Sequence, residues 1–575
     1  MAFRNSGIQV LASRIISGGG GLPEHHGPYD EDKDEKLNEL KAKIYAYVGN
    51  SGTLQWLLLF AGLLTQFATS MPLMLVSFAA PAPLTQCPDE RDPTKWVDCS
   101  EVKACERLSQ GLPAKVEFEY DNWTKTYGVY CDKENDRNFA QSLLIFCSSF
   151  NCFATLFLID IFGRRFGMIL TFVTTTAGAL AAFLVDNFTI KFVGLGIAYG
   201  SDAIYSALFT IFFIELLSPK APIRKMFLAL NFTAYPMGGF FLSIMTFFTK
   251  DPWVLSLFVL VACAVSSVIP VLICPESPMY LLNRGKMVDF IKCLAGIRNF
   301  NRVAQNKEEL DHISIEAKNW FRWFTMVQKI NVAPAPPQAV KERPEASEGL
   351  TKQLLSEEQN SHRAKESSKP AEQSSSSGSK APILKLISNF KYLYYLITIS
   401  LVGTLLNIIF NGVNLNLTEL GSPDVSVDGI IYSAVSIGAY LLMTPFAGTM
   451  KRKTWVIIFQ VVFLVCGVLL TIIDRVNTGE TLFRIAKISL AAGVFGGGNQ
   501  AAFIPYYYLV TETFPIDLRG TGSSIIVTCA NGFSMVAPFF ISLASHLNVS
   551  FALGCSALAV LTVPLSFFLR ETVEK

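Results

Sequence analysis

The chain has 575 residues, of which 51% are hydrophobic, 12% aromatic and only 16% charged. Soluble domains carry about 25% charged residues, so this composition excludes a string of soluble domains. The formal net charge of +2 leaves no electrostatic case for a nucleic-acid partner, which calls for a marked excess of Lys and Arg. Residues 1–52 read as a polar, cytoplasmic N-terminal segment. It has no short apolar stretch before a small-residue site, so the first membrane span is expected to direct insertion. Within it, KLNELKAKIYAYV (36–48) predicts an amphipathic helix lying along the membrane surface.

Apolar runs of about 20 residues, the length that crosses a hydrocarbon core of roughly 30 Å, then recur along the chain. The first is expected at 53–80 and is followed by a polar exterior loop, 81–138, that holds Cys87, Cys99, Cys105 and Cys131. Four cysteines in one hydrophilic stretch predict two disulfides on an oxidising face, with three connectivities open. No CxxC spacing or neighbouring His supports a zinc site, and no metal or cofactor is expected. The second and third spans (140–159, 166–185) flank Asp160-Ile-Phe-Gly163-Arg164-Arg165; the two arginines mark that turn as cytoplasmic. The fourth to sixth spans (190–217, 226–248, 252–273) complete an N-terminal six-helix bundle over 53–273.

Residues 274–390 form a polar cytoplasmic loop, and its stretch 332–381, rich in Ala, Pro, Ser, Glu and Lys, reads as a linker that cannot bury a core. Six further spans (391–413, 429–450, 454–473, 482–510, 522–544, 549–569) make a C-terminal bundle over 391–569, before a cytoplasmic tail, 570–575. Alternation from the Arg164-Arg165 turn puts the Lys/Arg-rich turns inside, as topology requires. It puts the glycosylation sequons at Asn122, Asn187, Asn416 and Asn548 outside, with Asn231 inside a span. The expectation is an all-α polytopic membrane protein of two six-helix bundles, with a disulfide-bearing exterior loop after helix 1. That layout is shared by major facilitator transporters, whose substrates bind near the midplane between the halves.

Several motifs then point to one family. The turn Asp160–Arg165 resembles the loop between helices two and three of the major facilitator superfamily. VGNSGTLQ (48–55), YGVYCD (127–132) with AQSL (140–143), PESP (275–278), and ETFP (512–515) with LRGTG (518–522) resemble segments of the organic cation and anion transporter family of solute carriers. The resemblance covers nearly the whole chain in order, and it implies a plasma-membrane carrier working by alternating access. It also implies a cytoplasmic gate in which Glu215, Glu276 and Glu512 meet Arg164, Arg165, Arg224 and Arg519 across the seam between the halves, with Asp160 and Gly163 shaping the turn. Before Lys451-Arg452-Lys453 stand Gly448-Thr-Met, so the second half lacks a clean acidic counterpart and the latch is expected to be lopsided.

Polar residues within spans are costly and are candidates for the substrate pathway. Asp202 stands about midway along the fourth span, as a proton or cation site or as a neutral acid bonded to a neighbouring helix. Asn407, Asn411 and Asn414 share a face of the seventh span. Asn499, Gln500, Tyr506 and Tyr507 in the tenth span and Tyr235 in the fifth complete a polar and aromatic set able to hold a cation. Family carriers of cations commonly place Asp, and carriers of anions Arg, where this chain has Asn531. The neutral amide leans toward a zwitterionic or neutral solute, unless Asp202 supplies the counter-charge. The expected partners are a small organic solute, the bilayer and a coupling proton or sodium ion, and no enzyme constellation is visible. A sugar porter, and a non-transporting glycoprotein resembling synaptic-vesicle relatives, are the rival readings.

Overall fold

The structure is a computed structural model that describes residues 39–49, 52–88, 94, 96–99, 101–217, 222–303, 307–332, 386–415, 417, 424–443, 446, 451–475, 487–514, 516–547, 549 and 551–571. The expected linker beyond Val332, and the sequons at Asn416 and Asn548, lie outside the described residues.

Nine described helical runs are long and apolar enough to cross a membrane. The first span is Thr53–Thr69 continued by Met71–Ala79. The restart has a local cause: Pro72 has no N–H to give the carbonyl of Ala68, four residues back, and that oxygen instead accepts the Cys263 thiol at 3.4 Å. The next five are Glu134–Phe162, Arg164–Leu184, Phe188–Leu216, Pro222–Phe248 and Pro252–Ile273. Asn187 and Asp251 cap the fourth and sixth by accepting the N–H groups of Ile190 and Trp253, which satisfies orphan donors at the helix start. The third and fourth spans touch backbone to backbone: a Cβ on Gly178 or Gly194 would lie 2.6 Å from the other's carbonyl oxygen.

The second set is Phe390–Leu415, Val425–Met443, Arg452–Arg475, a tenth span ending in Gln500–Glu512, an eleventh made of Ile516–Phe533 and Ala537–His546, and Phe551–Ser566. The tenth span carries a π-helical stretch at Ala492–Asn499, over the run Gly496-Gly-Gly-Asn499. The two six-helix sets meet chiefly through the fifth span on the eighth and the second on the eleventh.

The loop after the first span is not purely helical. Strands β1 (Leu84–Pro88), β2 (Trp96–Asp98) and β3 (Lys115–Glu117) form an antiparallel sheet in the order β2-β1-β3. Disulfides Cys87–Cys99 and Cys105–Cys131 close the connectivity left open by the sequence. A buried Arg137–Glu101 pair at 2.8 Å ties the loop helix Glu101–Ser109 to the start of the second span. Asn122, an expected glycan carrier, is 1% exposed; its Oδ1 accepts the Lys125 N–H at 3.0 Å and its Nδ2 donates to the Tyr120 carbonyl at 3.2 Å. Asn122→Ala is therefore expected to lower the melting point, by a lost cap worth about 1 kcal/mol. The shift in electrophoretic mobility that glycosidase treatment produces is expected to be the same in Asn122→Ala as in the parent, whereas Asn187, at the start of the fourth span, is exposed.

The N-terminal helix over 39–48 also departs from expectation. Its apolar residues Leu40, Ile44, Tyr47 and Val48 are buried in protein rather than turned to lipid. Arg298 donates to the Tyr47 carbonyl at 3.0 Å and sits 4.2 Å over its ring. Asn301 donates to the Val48 carbonyl at 3.0 Å and accepts the Leu54 N–H at 2.8 Å. These bonds pin the entry of the first span to Met287–Phe300, the second helix after the sixth span. An amphipathic pattern shows that one face seeks apolar cover, and here the helices after the sixth span supply it before the bilayer can.

Candidate functional site

A cavity of about 110 Å³ lies between the two bundles. Asp202, Tyr235, Asn407, Gln500, Tyr507 and Asn531, all expected on the pathway, line it together. Tyr199, Phe232, Phe410, Tyr440 and Phe503 build the rest of an aromatic wall. The rings run continuously from one half to the other: Phe232 lies 5.1 Å from Tyr507 and 6.0 Å from Tyr440, and Tyr235 lies 5.5 Å from Phe410, which lies 5.5 Å from Phe503. The ring face carries negative potential, so such walls favour cations. Asp202 is the one ionisable acid or base among the described lining residues apart from the tyrosines. Its Oδ1 accepts Gln66 Nε2 at 2.5 Å and faces the Thr69 hydroxyl at 3.2 Å, both from the first span.

Other expected pathway residues donate within the protein, while the Oδ1 atoms of Asn411, Asn414 and Asn499 are buried without a hydrogen-bond partner. Asn411 donates to the Ser534 hydroxyl at 2.8 Å, Asn414 to the Phe410 carbonyl at 2.9 Å and Asn499 to the Leu406 carbonyl at 3.5 Å. Tyr506 donates to the Ile399 carbonyl at 3.3 Å and packs against Gly403, where a Cβ would lie 1.9 Å from its hydroxyl. Gln500 lines the cavity but has both ends occupied: Oε1 accepts Tyr440 O–H at 2.6 Å and Nε2 donates to Tyr432 at 2.8 Å.

On the face that bears the disulfides the two halves are in contact. Ser77 in the first span donates to the Asn414 carbonyl, and Ser542 donates to Glu134 at 2.8 Å. Lys250, after the fifth span, bonds Glu119 and lies 3.2 Å from Asp424, before the eighth. The Glu119 hydrogen bond raises the Lys250 pKa. Burial works against the Asp424 carboxylate, but hydrogen bonds from Ser426 and Lys250 outweigh it and hold its pKa below the ordinary value. A lowered carboxylate pKa adds stability that is present above the unfolded value of about 3.9 and lost as pH falls through the folded one, so the clasp is intact at neutral pH.

On the opposite face, which bears the Arg164-Arg165 turn, the ion pairs among described residues stay within one half. Gly163 ends the second span at φ +109°, and a Cβ there would lie 2.6 Å from Glu276 Oε2. Glu276 accepts the N–H groups of Arg164 and Arg165 at 2.8 and 3.3 Å, placing negative charge at a helix N-terminus, where the helix dipole favours it. Arg164 pairs with Glu215 at 3.3 Å and lies 4.9 Å over Tyr280. The Arg165 side chain is exposed, and the side chains of Asp160, Arg224 and Arg519 lie outside the described residues. Glu512 meets Arg452, not an arginine of the first half: Nη2 to Oε1 is 3.1 Å and Nε to Oε2 is 3.4 Å. Among the described residues these two pairs each lie within one half and correspond to one another: Arg452 opens the ninth span and binds the end of the tenth as Arg164 opens the third and binds the end of the fourth. Sequence reasoning missed Arg452 because its partner lies 60 residues away.

Among the described residues no group of His, Cys, Asp and Glu could hold a metal ion. Solved structures share this fold. The proton:xylose symporter XylE bound to 6-bromo-6-deoxy-D-glucose is similar with a TM-score of 0.52 at 15% identity, over 90% of this chain and 96% of that chain. A partially occluded inward open conformation of the xylose transporter XylE from E. coli is similar at 0.51 and 15%, over 91% and 98%. Such identities show the major facilitator fold and no more. No curated protein matches the chain. The family described as sugar (and other) transporter matches residues 116–332 and 338–575, which is most of both bundles and the loop between them. The chain is a multi-pass membrane protein and belongs to the sugar (and other) transporter family.

Proposed function

We propose that this chain is a plasma-membrane carrier of small organic cations, closest in type to the organic cation and anion transporters, and that it works by alternating access. The observation that carries this reading is the cavity whose only acid among the described residues is Asp202, set among aromatic walls and with no described Lys, Arg or His in its lining. An organic anion there would lose its hydration beside a carboxylate with no cation to meet it, which is strongly unfavourable. Asn531 lines the same cavity as Asp202, so the counter-charge missing from the eleventh span is supplied from the fourth. The disulfide face is the exterior, the arginine face and both termini are cytoplasmic, and the contacts of Ser77, Lys250 and Ser542 belong to a carrier closed to the outside. A proton is the coupling ion that Asp202 could exchange with the solute.

The sugar reading has the family match and the likeness to xylose symporters in its favour. Against it, Gln500 is held at both ends by Tyr432 and Tyr440 and Asn407 Nδ2 is bonded to the Gly403 carbonyl. These two amides therefore have less to offer sugar hydroxyl groups, and much of the wall around them is aromatic. The test is a thermal-shift series on purified protein: organic monocations are expected to raise the melting point, by about 2.7 kcal/mol at a hundredfold excess over Kd, while xylose and glucose leave it unmoved. Stabilisation by sugars alone would reverse the assignment. Stabilisation by cations without uptake into proteoliposomes would favour a receptor.

A further inference from the structure

Resting on the cation reading, we propose that Gln66 makes the site selective for ammonium ions that carry an N–H, protonated amines, over quaternary ammonium ions. Gln66 is 3% exposed and lines the cavity beside Asp202. A carboxylate only accepts hydrogen bonds, so the 2.5 Å contact to Asp202 Oδ1 is made by Gln66 Nε2. That choice fixes the amide: Oε1 is the other end, and it is buried with no hydrogen-bond partner. The hydrogen bonds that reach the Asp202 carboxylate from described residues both end on Oδ1. The Thr69 hydroxyl has one proton and a closer acceptor in the Thr65 carbonyl at 2.8 Å, so Gln66 is the principal donor. Two neighbouring acceptors, Gln66 Oε1 and Asp202 Oδ2, are therefore left for a ligand. A buried acceptor without a donor is a standing cost, and a ligand N–H removes it. A quaternary ammonium ion satisfies the charge and the aromatic wall but leaves Oε1 orphaned.

The experiment compares the binding of N,N-dimethylphenethylamine, protonated at pH 7, with that of its N,N,N-trimethyl ammonium analogue on the purified full-length chain. The tertiary amine is expected to bind about tenfold or more tightly. In Gln66→Met the preference is expected to fall about threefold or more without vanishing, because the Asp202 carboxylate still accepts an N–H. Equal affinities in the parent, or an unchanged preference in Gln66→Met, overturn the proposal while leaving the cation reading in place. Should Gln66→Met fail to fold, Gln66→Asn, which withdraws the amide by one methylene, is measured instead, and the parent comparison decides by itself. Failure of both ammonium ions to bind removes the cation reading, and this proposal with it; the neutral carbon isostere, 3-methylbutylbenzene, tells that outcome from a cavity that takes only apolar solutes.

Discussion

Asp202→Asn is expected to abolish saturable uptake of organic cations while leaving the folded yield at the parental level. The substitution keeps shape and an acceptor oxygen, so Gln66 Nε2 retains its partner and the first span keeps its tie to the fourth. What disappears is the charge. At an effective dielectric of about 20, a unit pair roughly 4 Å apart is worth about 4 kcal/mol, near a thousandfold in affinity. The aromatic wall remains and contributes about 0.5–2 kcal/mol toward a cation, so weak, non-saturating entry is the residual expected. A neutral solute of the same shape should bind the variant as well as the parent. The measurement is concentration-dependent uptake into proteoliposomes, with binding by thermal shift to separate affinity from turnover. If the variant takes up cations with parental kinetics and pH dependence, Asp202 is neither the counter-charge nor the proton carrier.

The same residue shows why some of the site was legible in the sequence. An acid within an apolar run is so costly to bury that it marks itself, and Asp202 lies in the cavity where that cost has a use. Asn407, Asn411 and Asn414 were legible as one helix face but not as a division of labour. Periodicity says that they point the same way, and only the packing decides that Asn407 reaches the cavity while Asn411 meets Ser534 across the helix interface. Phe232, Phe410, Tyr440 and Phe503 carried no signal of their own. In spans as aromatic as these a cavity wall and a lipid face have the same composition, and Phe150, exposed on the second span, looks no different in sequence. Gln66 could have been found, since an uncharged amide in a long apolar span raises the same question as an acid. The N-terminal helix was legible as amphipathic, but its partner was not, because the residues bonded to it, Arg298 and Asn301, lie 251 and 253 positions away.

The pairing of charges on the arginine face bears on how such a carrier moves. Arg164–Glu215 and Arg452–Glu512 each join neighbouring spans of one half, so they stiffen each bundle as a unit. Among the described residues, contacts between bundles lie chiefly on the disulfide face and along the long seams of the fifth with the eighth and the second with the eleventh. Rocking of two stiff bodies about a fixed site follows from that arrangement. Among the described residues each half thus carries one such staple.

The second staple is the stronger, and Arg452→Ala is the substitution expected to do most damage to stability. The Arg452 side chain is 1% exposed against 13% for Arg164. Its guanidinium makes two contacts to Glu512 and lies 4.3 Å over the Tyr508 ring, using both the planar fork and the stacking face of arginine. Truncation leaves the Glu512 carboxylate, 22% exposed, without this partner, and breaking a buried pair from one side typically costs about 3–5 kcal/mol. Arg452→Lys keeps the charge but neither the fork nor the stack, so its melting point is expected to fall between those of Arg452→Ala and the parent. The double variant Arg452→Met with Glu512→Leu is expected to recover much of the loss, because removing both charges leaves nothing unpaired. Melting curves of detergent-solubilised protein give the ranking, with Arg164→Ala as the milder comparison. A melting point for Arg452→Ala within a degree of the parent would show that Glu512 finds another cation and that the second bundle is held by its apolar packing alone.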